Sequence, residues 1–133
     1  MSKPTDTVLA FIAAHYEWDR AALRRHESLS LRSPEREAAS DEIEAEYHEL
    51  VRKFCVPTVV PQGVSYGGNP SHEPNREMVE SVEVRGNSAT VCTQITDQDG
   101  FKSSYEYHMQ QLNGDWKIAS LLVICGDEKL ECL

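Results

Sequence analysis

The stretch that decides the fold runs from Met78 to Cys125, MVESVEVRGNSATVCTQITDQDGFKSSYEYHMQQLNGDWKIASLLVIC. Apolar and polar residues alternate in four segments, separated by Gly86-Asn87, Gln98-Asp99-Gly100 and Asn113-Gly114. Each separator can supply the positive φ that a tight hairpin needs, so the pattern predicts a four-stranded antiparallel meander.

Register follows from loop length. A two-residue loop at Asn113-Gly114 places Gln111 opposite Trp116, Met109 opposite Ile118, Tyr107 opposite Ser120 and Tyr105 opposite Leu122. A two-residue loop at Gly86-Asn87 places Val84 opposite Ala89, Val82 opposite Val91, Glu80 opposite Thr93 and Met78 opposite Ile95. Between these hairpins, a two-residue Asp99-Gly100 loop would put Val91 beside His108, and a one-residue slip exchanges the faces of a whole strand. A three-residue Gln98-Asp99-Gly100 loop, with Gly100 left-handed, pairs Val91 with Tyr107 and Thr93 with Tyr105. The predicted inner face is therefore Met78, Glu80, Val82, Val84, Ala89, Val91, Thr93, Ile95, Ser103, Tyr105, Tyr107, Met109, Trp116, Ile118, Ser120, Leu122 and Ile124. Ala119, Leu121 and Val123 then face outward beside His108 and Glu106, an apolar stripe to be covered by the tail or by a second copy of the sheet.

Two helices are expected upstream. The first, about residues 5–27, starts at Thr5-Asp6 and carries Val8, Phe11, Ile12, His15, Trp18 or Asp19, and Ala22 on one stripe. The second, 34–55, starts at Ser33-Pro34, a capping hydroxyl followed by proline in the first turn. Its buried face reads Ile43, Tyr47, Leu50, Val51 and Phe54; Ser40-Asp41 leaves open one helix or two. Residues 56–75, rich in proline and glycine, form a long loop with a short extended piece around Val59-Val60 or Val64-Tyr66. The meander occupies 76–125 and an acidic tail 126–133, and the whole chain, 1–133, reads as one domain.

The chain has 133 residues and a net charge of −9. From Glu35 to Glu49 the acids Glu35, Glu37, Asp41, Glu42, Glu44, Glu46 and Glu49 meet one base, Arg36. Without a basic stripe to neutralise phosphates, nucleic acid is not an expected ligand, whereas a basic protein is. No apolar run is long enough for a bilayer and Met1-Ser2-Lys3-Pro4-Thr5 does not read as a signal peptide, so no membrane association and a cytoplasmic location are expected. Cys55, Cys92, Cys125 and Cys132 lack C-x-x-C spacing and read as reduced, partly buried thiols. His72 and His108 have no partners at ligand spacing; no metal and no cofactor is expected.

Helix, helix, long connection and a bent meander ending in Gly114-Asp115-Trp116-Lys117-Ile118 resembles the nuclear transport factor 2-like superfamily over residues 5–125. The resemblance implies an α+β cone, a curved antiparallel sheet folded around the helices with an internal pocket, and frequent dimers through the outer sheet face. The superfamily holds isomerases, dehydratases, cyclases, binding subunits and immunity proteins of bacterial toxin systems. The acidic second helix, the acidic tail and the lack of an evident catalytic set are most similar to the immunity proteins.

That resemblance sets two expectations. As an immunity protein the chain would bind a cognate toxin with a basic surface, through Glu35, Glu37, Asp41, Glu42, Glu46 and Glu49, without turnover; the same run also reads as an ordinary solvated helix face. As a small-molecule enzyme it would use a pocket lined by His15, Tyr16, Trp18, Glu80, Thr93, Tyr105 and Tyr107, with Glu80, Tyr105 and His15 as the proton-transfer set. The structural alternatives are a Glu80 carboxylate at the rim bonded to Tyr105, a hydrogen-bonded core histidine at His15, and core or dimer aromatics at Tyr16 and Trp18.

Overall fold

The computed structural model describes residues 3–29, 33–61 and 70–133, the side chain of Cys125 excepted. Two helices, α1 (Pro4–Glu27) and α2 (Pro34–Phe54), precede five strands: β1 (Glu77–Arg85), β2 (Ser88–Thr96), β3 (Lys102–Leu112), β4 (Asp115–Cys125) and β5 (Glu128–Glu131). The strands form one antiparallel sheet in chain order. It is curved and unclosed.

α1 begins one residue earlier than Thr5-Asp6 suggested. Lys3 occupies the cap, Pro4 opens the first turn, and the Lys3 backbone N–H donates to the Asp6 carboxylate at 3.0 Å. A proline there gives up a donor that has no partner inside the helix. α2 is a single helix capped by Ser33, whose hydroxyl accepts from the Arg36 N–H at 3.1 Å. Ser40 does not restart it: its hydroxyl turns back to the Arg36 carbonyl and meets Nε2 of His26 on α1. The buried stripes are the expected ones, with both Trp18 and Asp19 inward on α1 and Ala39 added on α2. The indole N–H of Trp18 donates to the Ile43 carbonyl and joins the helices.

The β2–β3 register is the predicted one, with Val91 opposite Tyr107, Thr93 opposite Tyr105, and Gly100 at φ 86° in the three-residue loop. The other two hairpins begin as predicted and then slip. In β1, Val84 faces Ala89 and Val82 faces Val91, but beyond them Ser81 faces Cys92 and Val79 faces Thr93. Glu80 is thus the extra residue of a β-bulge, and the strand changes parity there. In β4, Met109 faces Ile118, but His108 then faces Ser120 and Tyr107 faces Leu121, leaving Ala119 as the bulged residue.

These bulges correct the predicted inner face. Leu121 is 1% exposed and Val123 packs on the core, while Ser120, Leu122 and Ile124 are only half-buried. The slip turns Leu121 rather than Ser120 into a closely packed inward place on the strand, with Leu122 and Ile124 left half-buried on the other face. The outward stripe of Ala119, Leu121 and Val123 is therefore not formed. On β1, Met78 is 63% exposed and Glu80 is exposed, whereas Glu77 is 2% exposed. Val82 and Val84 keep the predicted parity but remain exposed at the sheet's edge.

The acidic tail is not loose chain. Gly126, at φ 62°, turns it back so that β5 pairs with β4 from Leu122 to Cys125. Lys129 then reaches Glu106 on the outer sheet face at 2.7 Å, and that hydrogen bond holds the Glu106 carboxyl below its ordinary value. Leu133 returns to the core. In the long connection, pairing falls at Cys55, bridged to Ile118, and Val59-Val60 forms no strand. The alternative extended piece at Val64-Tyr66 lies outside the described residues.

Candidate functional site

Between α1 and the sheet lies a buried polar cluster, built by the bulge in β1. With the parity changed at Glu80, Glu77 points inward beside Thr93 of β2 and Tyr107 of β3, a place expected to hold Glu80. Thr93 Oγ1 donates to Glu77 Oε2 at 2.5 Å and Tyr107 Oη donates to the same oxygen at 2.6 Å. The other oxygen, Oε1, meets Nδ1 of His72 at 2.6 Å. A carboxylate only accepts, so that contact assigns the ring proton to Nδ1. Tyr107 Oη also lies 3.1 Å from His72 Nδ1. Three donors thus converge on one carboxylate whose side chain is 0% exposed.

His72 comes from the segment 70–76, which has neither helical nor sheet periodicity. It lies 2% exposed among Phe11 and His15 of α1 and Tyr105 of β3, with ring centroids 5.3, 4.7 and 4.8 Å away. Tyr105 donates its hydroxyl to the Ser71 carbonyl at 2.9 Å. The segment is therefore held down by side chains of β1 and β3.

Of the residues singled out from sequence, the structure brings His15, Thr93, Tyr105 and Tyr107 to this cluster. Glu80 lies outside it on the solvent side of β1. Trp18 packs on Tyr47 and Ile43 at the helix–helix contact, and Tyr16 is half-buried beneath the Arg20 guanidinium. Glu77 and His72 were missed. Glu77 could have been found from the alternation of Glu77 and Val79, the other parity of the same strand; His72 carried no signal.

His15 has an unusual position for a histidine. Its Nδ1 is buried and has no hydrogen-bond partner among the described residues, and its ring packs against Phe11, Trp18, Tyr47 and His72. Burial, reinforced by His72, lowers its pKa to about 3. The unfolded chain then binds the proton first as pH falls, since its histidine titrates near the ordinary 6.5. Stability is complete above that value, falls between about 6.5 and 3, and is level below. At pH 5 the deficit from His15 is about 2 kcal/mol. His15→Leu is expected to remove it, so that urea-denaturation midpoints at pH 7 and pH 5 draw together; an undiminished gap would place the acid sensitivity elsewhere.

Chemically the cluster is a closed network. Tyr107 is held protonated, its pKa raised well above 10 by burial first and by the Glu77 charge second. Glu77 spends its acceptors on Thr93, Tyr107 and His72. Both members of the Glu77–His72 pair are 2% exposed, so the pair is enclosed. Among the described residues no three potential ligands come together as a metal site. No helix of the described residues is long and apolar enough to cross a membrane.

A curved, unclosed antiparallel sheet following two helices that pack into it defines the nuclear transport factor 2 fold class. Residues 3–125 match the family of NTF2 fold immunity proteins, and the chain belongs to that family. No curated protein and no solved structure matches the chain significantly.

The other candidate surface is the acidic face of α2. Glu35, Glu37, Asp41, Glu42, Glu44, Glu46 and Glu49 are all exposed, with Ala39, Ile43, Tyr47 and Leu50 turned inward. Helical spacing separates the acids into two flanks: Glu35, Glu42, Glu46 and Glu49 towards α1, and Glu37, Asp41 and Glu44 away from it. Arg25 of α1 bridges Glu42 and Glu46, the latter at 3.1 Å, so these two are partly neutralised within the molecule.

Proposed function

We propose that this protein is an immunity protein that binds and neutralises a cognate bacterial toxin domain, with no turnover of its own, and that the acidic face of α2 meets a basic surface of the toxin. Membership of the immunity family carries the first part. The contact site is supported by the exposure of all seven acids on α2. Such an array raises the rate of encounter with a cationic partner and sets its orientation. The Arg25 bridge shifts the expected weight to the flank that it does not neutralise, Glu37 and Asp41, with Glu35 and Glu49 following on the other flank and Glu42 and Glu46 contributing less.

The enclosed Glu77–His72 pair supports binding over turnover, because both oxygens of the Glu77 carboxylate are engaged within the protein. The toxin domain is expected to be encoded beside this chain, and the test is association kinetics with it. Glu37→Lys with Asp41→Lys should slow association at low salt, with a deficit that shrinks as salt rises. Fold stability should change by no more than about 1–2 kcal/mol, most of it from Glu37, which lies in the first turn of α2 where a positive charge opposes the helix dipole. Unchanged kinetics with full protection would move the contact off α2, and failure of any neighbouring toxin to bind would end the immunity reading.

A further inference from the structure

We propose that two copies of this protein pair edge to edge through β1, antiparallel and centred on Val84, so that Glu83 of each copy faces Arg85 of the other. The contact uses neither the acidic face of α2 nor the buried cluster, and it stands apart from the toxin reading.

The backbone of β1 is open on one side. The strand ends the sheet, and among the described residues nothing pairs with it beyond β2. Which of its polar groups are free follows from the ladder. The Gln111 N–H donates to the Asn87 carbonyl at 2.8 Å, so Asn87, Ala89 and Val91 turn their backbone groups towards β3. Ser88 and Thr90 turn theirs towards β1, where Arg85 and Glu83 lie opposite and receive them. Val84 and Val82 therefore present N–H and C=O outward. Their side chains, on the core-facing side of the sheet, are 53% and 44% exposed.

The two edges of the sheet are unlike. β5 has four residues, three of them charged, and a short charged edge discourages pairing. β1 has nine, and beyond its bulge the free stretch carries two exposed valines. An unpaired apolar edge is a template for another strand.

Charge chooses the occupant and the register. A symmetric antiparallel pair keeps both core faces on one side only if the twofold axis passes through a residue, here Val82, Glu83 or Val84. Centring on Val82 sets Val84 against Glu80, the bulged residue. Centring on Glu83 brings two carboxylates directly opposite, which is destabilising. Centring on Val84 sets Glu83 against Arg85 twice over, at positions where facing side chains lie closest, while the Val84 backbones bond to each other across the axis. Arg85 already donates to Glu83 in its own strand at 2.7 Å, and the two side chains are 81% and 62% exposed. Pairing therefore builds an alternating group of two acids and two bases. The overlap runs only from Val82 to Gly86, where the turn begins at φ 60°, so the dimer is a weak one.

The test is sedimentation of the wild-type protein across about 0.01–1 mM, the span in which so small a contact associates. The dimer fraction should rise with concentration. Glu83→Arg and Arg85→Glu, made singly, each turn two attractive pairs into repulsive ones and should weaken association about tenfold. The variant carrying both exchanges should recover wild-type association. Glu83→Arg also lowers the net negative charge, so a general charge effect would strengthen association there instead. All these side chains are exposed, and circular dichroism should report the same fold in each variant. A monomer throughout the range would overturn the proposal and leave the edge to a strand of another protein. A dimer indifferent to the single exchanges, or a double variant that does not recover, would overturn it equally.

Discussion

Glu77→Ala is expected to destabilise the protein by about 3–5 kcal/mol, the range for breaking a buried charged network by removing one partner. The substitution strands Thr93, Tyr107 and His72, all buried, without their common acceptor. It also leaves a void between β1 and β3. Glu80→Ala, three residues along, should cost less than about 0.5 kcal/mol, because its side chain is exposed. Chemical denaturation of the two variants side by side measures the bulge in β1: equal losses, or a larger loss at Glu80, would restore the uninterrupted register. Glu77→Gln should fall between them, since the amide keeps one acceptor but turns a donor towards groups that already donate.

Trp116→Ala should cost about 3–5 kcal/mol, the range for truncating a buried aromatic. Trp116 is 6% exposed at the start of β4, within the core cluster, and its backbone carbonyl accepts the Thr7 hydroxyl of α1 at 3.0 Å. It closes the end of the molecule opposite the His72 cluster, where the first turn of α1 meets the β3–β4 hairpin. A loss below about 1 kcal/mol in urea titration would mean that the indole is not packed against the helices. Among the described residues no hydrogen-bond partner is common to the two sites, so the combined Glu77→Ala and Trp116→Ala loss should be close to additive.

The family and the cluster bear differently on function. The family points to a role in toxin systems, while the buried polar cluster of Glu77, His72, Thr93 and Tyr107 sits within an otherwise apolar core. The enzyme expectation rested on Glu80 beside Tyr105 and His15; the bulge removes Glu80 from that set and supplies Glu77, which His72 closes off. The outer surface keeps its charge. Arg25 shows that not every acid on α2 is equally available, a distinction that composition does not contain.

Much of the architecture was legible in the sequence because it rests on local rules. Ser33-Pro34 starts α2, the apolar stripes orient both helices, and Asn113-Gly114 and Gly100 set turns whose left-handed residues appear at φ 51°, 86° and 86°. Where the sequence misled, both answers satisfied the same alternation. In β4, Ser120, Leu122 and Ile124 alternate as well as Leu121 and Val123 do, and only packing against the helices chooses between them, through a bulge at Ala119. In β1 the choice at Glu80 decides whether an acid at 77 or at 80 is buried. β5 was missed because its turn, Gly126-Asp127, precedes a strand too short and too charged to show a pattern. His72 was beyond reach of any local rule: its segment has no periodicity, and its burial depends on donors and rings from β1, β2, β3 and α1 that meet only in the folded protein. Local propensity determined the elements of this protein; the parity of two strands, and the cluster that follows from one of them, were decided by tertiary burial.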